Sequence, residues 1–396
     1  MIKNPYRPGA AVTPVYLAGR ESQEKRFRAV LRGAPELPAN FRITGLRGVG
    51  KTVLLKRFEE IADKDLGWAV QRVQLEPRHN REDELAALLT NLASRAANQL
   101  SRIRQLKNST ATLVGSARSL LTVTVEDFTF SLSGLEAERQ EELLAKLLDV
   151  TDVALKSGKA GFLLLLDEAQ VLADDKDRSG EHPLSLLVAA VNTLQEKEVP
   201  IGLVLCGLPT LKSNLLKART YSERMFRGEE VGSLSRDEAR DAFLKPLEGT
   251  GKYAEESLVE KVLSDVQGYP YFIQLWGAEL WDEADAGEMD ELSTELLISI
   301  KDSIYQRLDE DFYDTRVESL TPAEQDLLLL TADCDYPPLK TADIHKVSNR
   351  SEGNANVLMG RLAEQGVVFR VQKGQYHYTA PKFHEYLKRR KDKSSW

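Results

Sequence analysis

The sequence predicts an α/β chain: a parallel-sheet core, then a helical region, then a unit of three helices, a hairpin and a last helix. Three stretches carry this expectation. Phe41-Arg42-Ile43-Thr44 reads as a short strand and Val53 to Phe58 as a helix, with Gly45-Leu46-Arg47-Gly48-Val49-Gly50-Lys51-Thr52 between them. Gly161 to Leu166 is a continuous apolar run closed by Asp167-Glu168, the pattern of a strand buried on both faces of a parallel sheet. From Thr321 onward three helical patterns precede Val367–Val371, a turn at Lys373-Gly374, Tyr376–Thr379 and a basic helix. That is the order of a winged helix-turn-helix.

The first stretch fits G-x-x-x-x-G-K-[ST], a phosphate-binding P-loop. Glycines let backbone N–H groups turn inward around phosphates, where a Cβ would crowd them. Lys51 supplies a positive charge to the β/γ-phosphates and Thr52 a hydroxyl to Mg²⁺. Val53 opens the helix whose N-terminal dipole completes the anion site. The bland alternative is a glycine turn, and strand, loop and helix in that order argue against it. Asp167 falls at a strand's C-terminal end, where such sheets place ligands. It is expected to hold Mg²⁺, directly or through water, and Glu168 to orient and deprotonate an attacking water. Two surface acids capping a core strand are the alternative, set aside because the P-loop precedes them.

The chain has 396 residues, 29% of them charged and 42% hydrophobic, with a net charge of −8. This is ordinary globular composition, and any nucleic-acid site must be local. Two cysteines, Cys206 and Cys334, have no pairing or metal spacing, as a reducing cytoplasm favours. No leader pattern and no apolar run of membrane-spanning length is present. The five histidines are scattered, so no structural metal is expected.

In chain order, residues 1–16 predict an extended arm. Gly19-Arg20-Glu21 then opens a helix to about Arg32, either simple packing or a clasp on the base side of a nucleotide. Ala69–Leu75 predicts a second strand, followed by a long helix from Arg81 to Gln105. Residues 108–134 read as an insertion, with β-rich pieces at 122–125 and 128–131; a mobile surface loop and a partner- or DNA-contacting hairpin both fit. Helices are expected at 136–156 and 183–196, and a buried strand at Pro200–Gly207. Cys206 is a poor donor at that strand end and Thr210 a candidate, with plain packing as an equal alternative. Among the arginines of 218–227, Arg224 and then Arg219 are candidates for a finger supplied to a neighbouring molecule. Ser235 and Glu238 form a capping box. Helices follow at 255–266, 271–285 and 292–309, with Gly268-Tyr269-Pro270 at a helix start. From residue 321 onward Lys and Arg outnumber Asp and Glu by twelve to nine, about +3 against about −11 for the rest. The asymmetry favours a nucleic-acid face, with Asn354, Asn356, Arg361, Lys373 and the cluster Lys388–Lys391 as candidate contacts. Docking of a protein is the alternative.

Gly19-Arg20-Glu21, Gly45–Thr52, Leu163–Glu168 and Gly268-Tyr269-Pro270 resemble the AAA+/STAND-type P-loop ATPases. The whole order is similar to archaeal origin-recognition-like ATPases, and Asn4–Gly9 with Leu46–Thr52 to a group of actinobacterial ATP-binding proteins. The resemblance implies an AAA+-like core at 1–247, a helical lid at 248–318 and the winged helix at 319–396. It implies ATP or ADP as nucleotide, with Gly19 and Arg20 against the adenine and Pro270 among the nucleotide-binding residues. Initiators carry a lid arginine where this chain has Gly268-Tyr269-Pro270, and a polar group where it has Cys206. Both departures imply slow hydrolysis. The expected function is an ATP-hydrolysing switch acting on double-stranded DNA or a DNA-bound partner, with Arg224 acting in trans if the chain self-associates. A signalling switch whose winged helix docks protein, and a nucleotide-binding protein without turnover, are the rivals.

Overall fold

The structure is a computed structural model of the full chain. The residues it describes are 3–9, 11–108, 135–175, 180–218 and 222–394. The insertion at 108–134 falls almost entirely outside them, as does Arg219. The chain divides into two compact units, residues 20–45 with 51–230, and residues 1–19 with 46–50 and 231–396.

The first unit contains α1 (Glu21–Arg32), β1 (Ala39–Thr44), α2 (Lys51–Glu60), β2 (Ala69–Gln74), α3 (Glu82–Asn108) and α4 (Leu135–Lys156). It continues through β3 (Phe162–Asp167), α5 (Pro183–Gln195), β4 (Ile201–Gly207), α6 (Thr210–Ala218), α7 (Ser222–Met225) and β5 (Arg227–Glu230). The strands form one sheet in the order β2-β3-β4-β1-β5, every pair parallel. All six residues of β3 and all seven of β4 are buried, as the apolar runs require of central strands. Leucines and valines of β3, β4, α3, α4 and α5 make a single core. Phe27 of α1 stacks on Phe58 of α2 at 3.9 Å, and the edge of Phe41 of β1 meets both rings.

The second unit holds α8 (Arg236–Leu244), β6 (Tyr253–Ala254), α9 (Glu256–Val266), α10 (Pro270–Ala286), β7 (Glu291–Leu292) and α11 (Thr294–Leu308). A π-helical turn at Asp309–Asp314 leads into α12 (Thr315–Glu318). Then come α13 (Pro322–Leu330), β8 (Leu339–Lys340), α14 (Thr341–Ser348), α15 (Glu352–Glu364), β9 (Val368–Gln372), β10 (Gln375–Tyr378) and α16 (Phe383–Ser394). The expected two-stranded hairpin gains a third strand: the order is β8-β10-β9, antiparallel throughout. Two residues of β8 pair with β10, too short a stretch to leave a periodic pattern in the sequence. One apolar core runs from Leu234 through Trp276, Trp281 and Tyr313 to Tyr386 and Leu387.

The N-terminal arm is docked on this unit. Asn4 Nδ2 donates to the Ala278 carbonyl at 3.1 Å and to Asp282 at 2.8 Å. The Arg7 N–H donates to Gln274 Oε1 at 2.9 Å. Buried Tyr6 donates its hydroxyl to the Phe243 carbonyl at 2.5 Å. Its ring fills a notch that exists because Gly277 has no side chain: a Cβ there would stand 2.4 Å from the ring.

Candidate nucleotide site

In the first unit the register aligns the C-terminal ends of β1, β3 and β4. Thr44 lies beside Gly207, Ile43 beside Cys206, and Leu166 beside Leu205. The Gly45 N–H donates to the Gly207 carbonyl at 3.3 Å. Lys51 opens α2 and is 8% exposed; Asp167 ends β3 and is 2% exposed. Thr52 and Val53 fill the rest of the first turn of α2, both partly exposed. Cys206 lies against Asp167. Burial pushes its thiol well above the usual range, the Asp167 charge and hydrogen bond push the same way, and Lys51 opposes. It is therefore a neutral S–H donor to the carboxylate, a weak one.

Glu168 follows in the left-handed region, φ 54° and ψ 31°, a conformation costly for a residue with a Cβ and held by its surroundings. Its N–H donates to Asp167 Oδ1 at 2.9 Å. Its carboxylate accepts from Gln170 Nε2. Gln170 Oε1 in turn accepts the Leu208 N–H at 3.0 Å. The amide lies over Gly207, where a Cβ would come within 2.4 Å of Gln170 Oε1. Asn214 of α6 clamps the same turn, donating to the carbonyls of Gln170 and Leu172. Gln170 thus ties Glu168 to the end of β4. No motif marks Gln170; the available signal is an amide two residues beyond a strand-end acid.

Thr210 is the first residue of α6, and Arg224 is exposed on α7. Arg20 is buried at the start of α1.

In the second unit lie loop residues Leu46 to Gly50. Gly48 and Gly50 have φ of +79° and +88°, which residues with a Cβ rarely adopt. A Cβ at Gly50 would meet nothing within 4 Å, whereas one at Gly48 would stand 3.3 Å from Phe312 and 3.4 Å from Tyr271. The Gly48 carbonyl accepts the Tyr271 N–H at 3.3 Å, and the Arg47 N–H donates to the Thr379 carbonyl at 3.0 Å. Pro270 stands at the first turn of α10, one residue before that Tyr271 N–H. Gly268 makes the preceding turn, φ +72°, with its carbonyl accepting the Leu234 N–H at 2.8 Å. Gly19, φ +64°, lies on the Glu238 carboxylate that closes the Ser235 capping box.

Of the candidate contacts in the C-terminal unit, Asn354, Asn356, Arg361 and Lys373 are exposed. The basic cluster is different. Arg389 pairs with Asp309, Arg390 with Asp314 at 2.7 Å, and Lys391 with Asp333. Only Lys388 of the four is fully exposed. The net charge counted along the sequence therefore overstates the basic surface.

A parallel sheet, a glycine loop leading into α2 and a buried acid ending the interior strand β3 define a P-loop NTPase fold. Residues 16–205 match the sequence profile of the AAA ATPase domain. That domain carries ATP binding and ATPase activity at the level of the family. Residues 310–387 match a domain of unknown function, DUF8462. No curated protein sequence matches the chain. Among solved structures, the chain resembles the ORC2 protein of Aeropyrum pernix in its ADPNP–ADP complexes. The TM-score is 0.55 at 16% identity, covering 96% of this chain and 95% of that one. It also resembles the Walker-type ATPase PABY2304 of Pyrococcus abyssi, with a TM-score of 0.51 at 17% identity over 94% of this chain and 96% of that one. At these identities the likeness is one of fold alone, that of a P-loop ATPase. Among the described residues no helix is long and apolar enough to cross a membrane.

Proposed function

We propose that the chain is an ATP-binding, slowly hydrolysing switch that acts on duplex DNA or on a DNA-bound partner. Its parts are then an ATPase core at 1–247, a helical lid at 248–318 and a winged helix-turn-helix at 319–396. The observation that carries the switch is the pair of backbone bonds on the glycine loop. Gly48 is held by the first turn of α10 and Arg47 by Thr379, between the last strand and the last helix. A change in loop conformation on nucleotide binding would be felt directly by both elements.

Lys51 and the loop N–H groups bind the phosphates, and Glu168, positioned by Gln170, orients the attacking water and takes its proton. Thr52 and Asp167 would hold Mg²⁺, which neutralises phosphate charge. One buried carboxylate and one hydroxyl fit that ion, which keeps waters and phosphate oxygens for its other positions. Among the described residues no larger group of His, Cys, Asp or Glu is placed as a metal cage. Gly19, Arg20 and Pro270 border the nucleotide in this reading. Exposed Arg224 is available to a second copy of the chain.

Exposure of Asn354, Asn356, Arg361 and Lys373 supports duplex DNA as the target. The internal pairing of Arg389, Arg390 and Lys391 favours the second reading, in which the same unit docks a protein. ATP turnover by the purified chain, with and without duplex DNA, decides between them. Stimulation by DNA is expected. DNA-indifferent turnover would move the assignment to a protein partner. Lys51→Ala is expected to abolish nucleotide binding, and Glu168→Gln to keep binding and lose turnover. Wild-type turnover in Glu168→Gln would rule out Glu168 as the base.

A further inference from the structure

The turn at Asp309–Asp314 and the helix α12 bring two side chains, Phe312 and Arg316, to the glycine loop. Phe312 lies under Gly48 and stacks on Tyr271, ring centroids 5.0 Å apart. The Arg316 guanidinium lies over the Phe312 ring at 4.4 Å. Its Nε and Nη1 atoms are buried and have no hydrogen-bond partner, and the same is true of Nε of Arg47 in the loop. No carboxylate pairs with Arg316 among the described residues. A desolvated guanidinium is costly unless an anion satisfies it, and a like charge beside it raises that cost. Burial, and secondly the charge of Arg47, push Arg316 down to about 10, so it is cationic at neutral pH. Two guanidiniums that repel each other and keep unsatisfied nitrogen atoms, Nε of Arg47 and Nε and Nη1 of Arg316, beside a loop that turns on Gly48 and Gly50, describe a seat for a phosphate. Guanidinium forks suit that ligand. The turn at Gly268-Tyr269-Pro270 brings no arginine of its own. The widened π-helical turn is what brings Phe312 and Arg316 to the loop, and such turns recur at functional sites.

We propose that Arg316, with Arg47, binds the phosphate tail of the nucleotide and so joins the segment before the C-terminal unit to the nucleotide state. This rests on the P-loop reading above. The test is calorimetric titration of the full chain with ADP and with a non-hydrolysable ATP analogue. Wild type, Lys51→Ala, Arg316→Lys and Arg316→Met are compared, each with its unliganded melting temperature. Arg316→Met is expected to weaken binding of at least one nucleotide by about 10- to 100-fold, with Arg316→Lys in between. Its unliganded melting temperature should equal or exceed the wild type, because an unpaired buried charge has gone. Affinities within about twofold of wild type for both nucleotides would overturn the proposal. Wild-type protein binding no better than Lys51→Ala would instead sink the P-loop reading, a separate result. Should Arg316→Met not fold, Arg47→Met reads the same pair from its other side.

Discussion

Gln170 shows how a residue with no chemistry of its own can set the geometry of one that has. Its amide nitrogen bonds the Glu168 carboxylate and its oxygen the Leu208 N–H, which fixes a left-handed glutamate in a single orientation. If Glu168 is the base, its alignment is the quantity Gln170 controls, and misplacement of a base by an ångström is expensive in rate. Gln170→Ala should lower kcat by about tenfold or more while nucleotide Kd stays within about twofold. Rapid-quench turnover and calorimetry check this, and an unchanged kcat would leave Gln170 as a clip on the end of β4. The P-loop and the acid pair were legible in the sequence because their spacing is local. Gln170, Arg316 and Thr379 were not, because each acquires its meaning from a partner distant in the chain.

At the level of elements, the arm of residues 3–9 is held by one aromatic anchor. Tyr6 is buried between α8 and α10, in the notch left by Gly277. Tyr6→Ala empties that notch and is expected to cost about 3–5 kcal/mol in urea unfolding, the usual range for deleting a buried aromatic ring. Gly277→Ala fills it from the other side. With a Cβ set 2.4 Å from the ring, it should release the arm and expose residues 3–9 to limited proteolysis. Protection equal to wild type would show that the arm is held by Asn4 and Arg7 instead. The long helices and the apolar strands β3 and β4 announce themselves by periodicity and continuity. Two-residue strands such as β6, β7 and β8 leave no period, and Pro- and Gly-rich composition in the arm says extended without saying against what.

Over the whole molecule, charge counting and charge placement disagree. Residues 321–396 are net basic, yet Arg389 and Arg390 are committed to Asp309 and Asp314. Neutralising them should act on stability before it acts on DNA. Arg390→Ala leaves a half-buried aspartate without its cation. It is expected to lower the unfolding free energy by about 1 kcal/mol, after discounting for solvent screening, with DNA affinity changed little. Arg361→Ala should do the reverse, weakening duplex binding and lowering the salt slope by about one. Fluorescence anisotropy across a salt series separates the two. Loss of DNA affinity in Arg390→Ala with stability intact would return the terminal cluster to the surface reading.

The sequence by itself determined the phosphate loop, the acid-capped buried strand, the alternation of strands and helices, and the order of the last helices and hairpin. These are set by neighbours along the chain: glycine φ, apolar period and capping residues act within a few positions. Only the tertiary structure decided which cations are satisfied and which are not. Counting cannot distinguish Arg390, paired with an aspartate 76 residues away, from Arg316, half-buried and without a carboxylate partner among the described residues. Burial and pairing depend on which distant segments the core brings together.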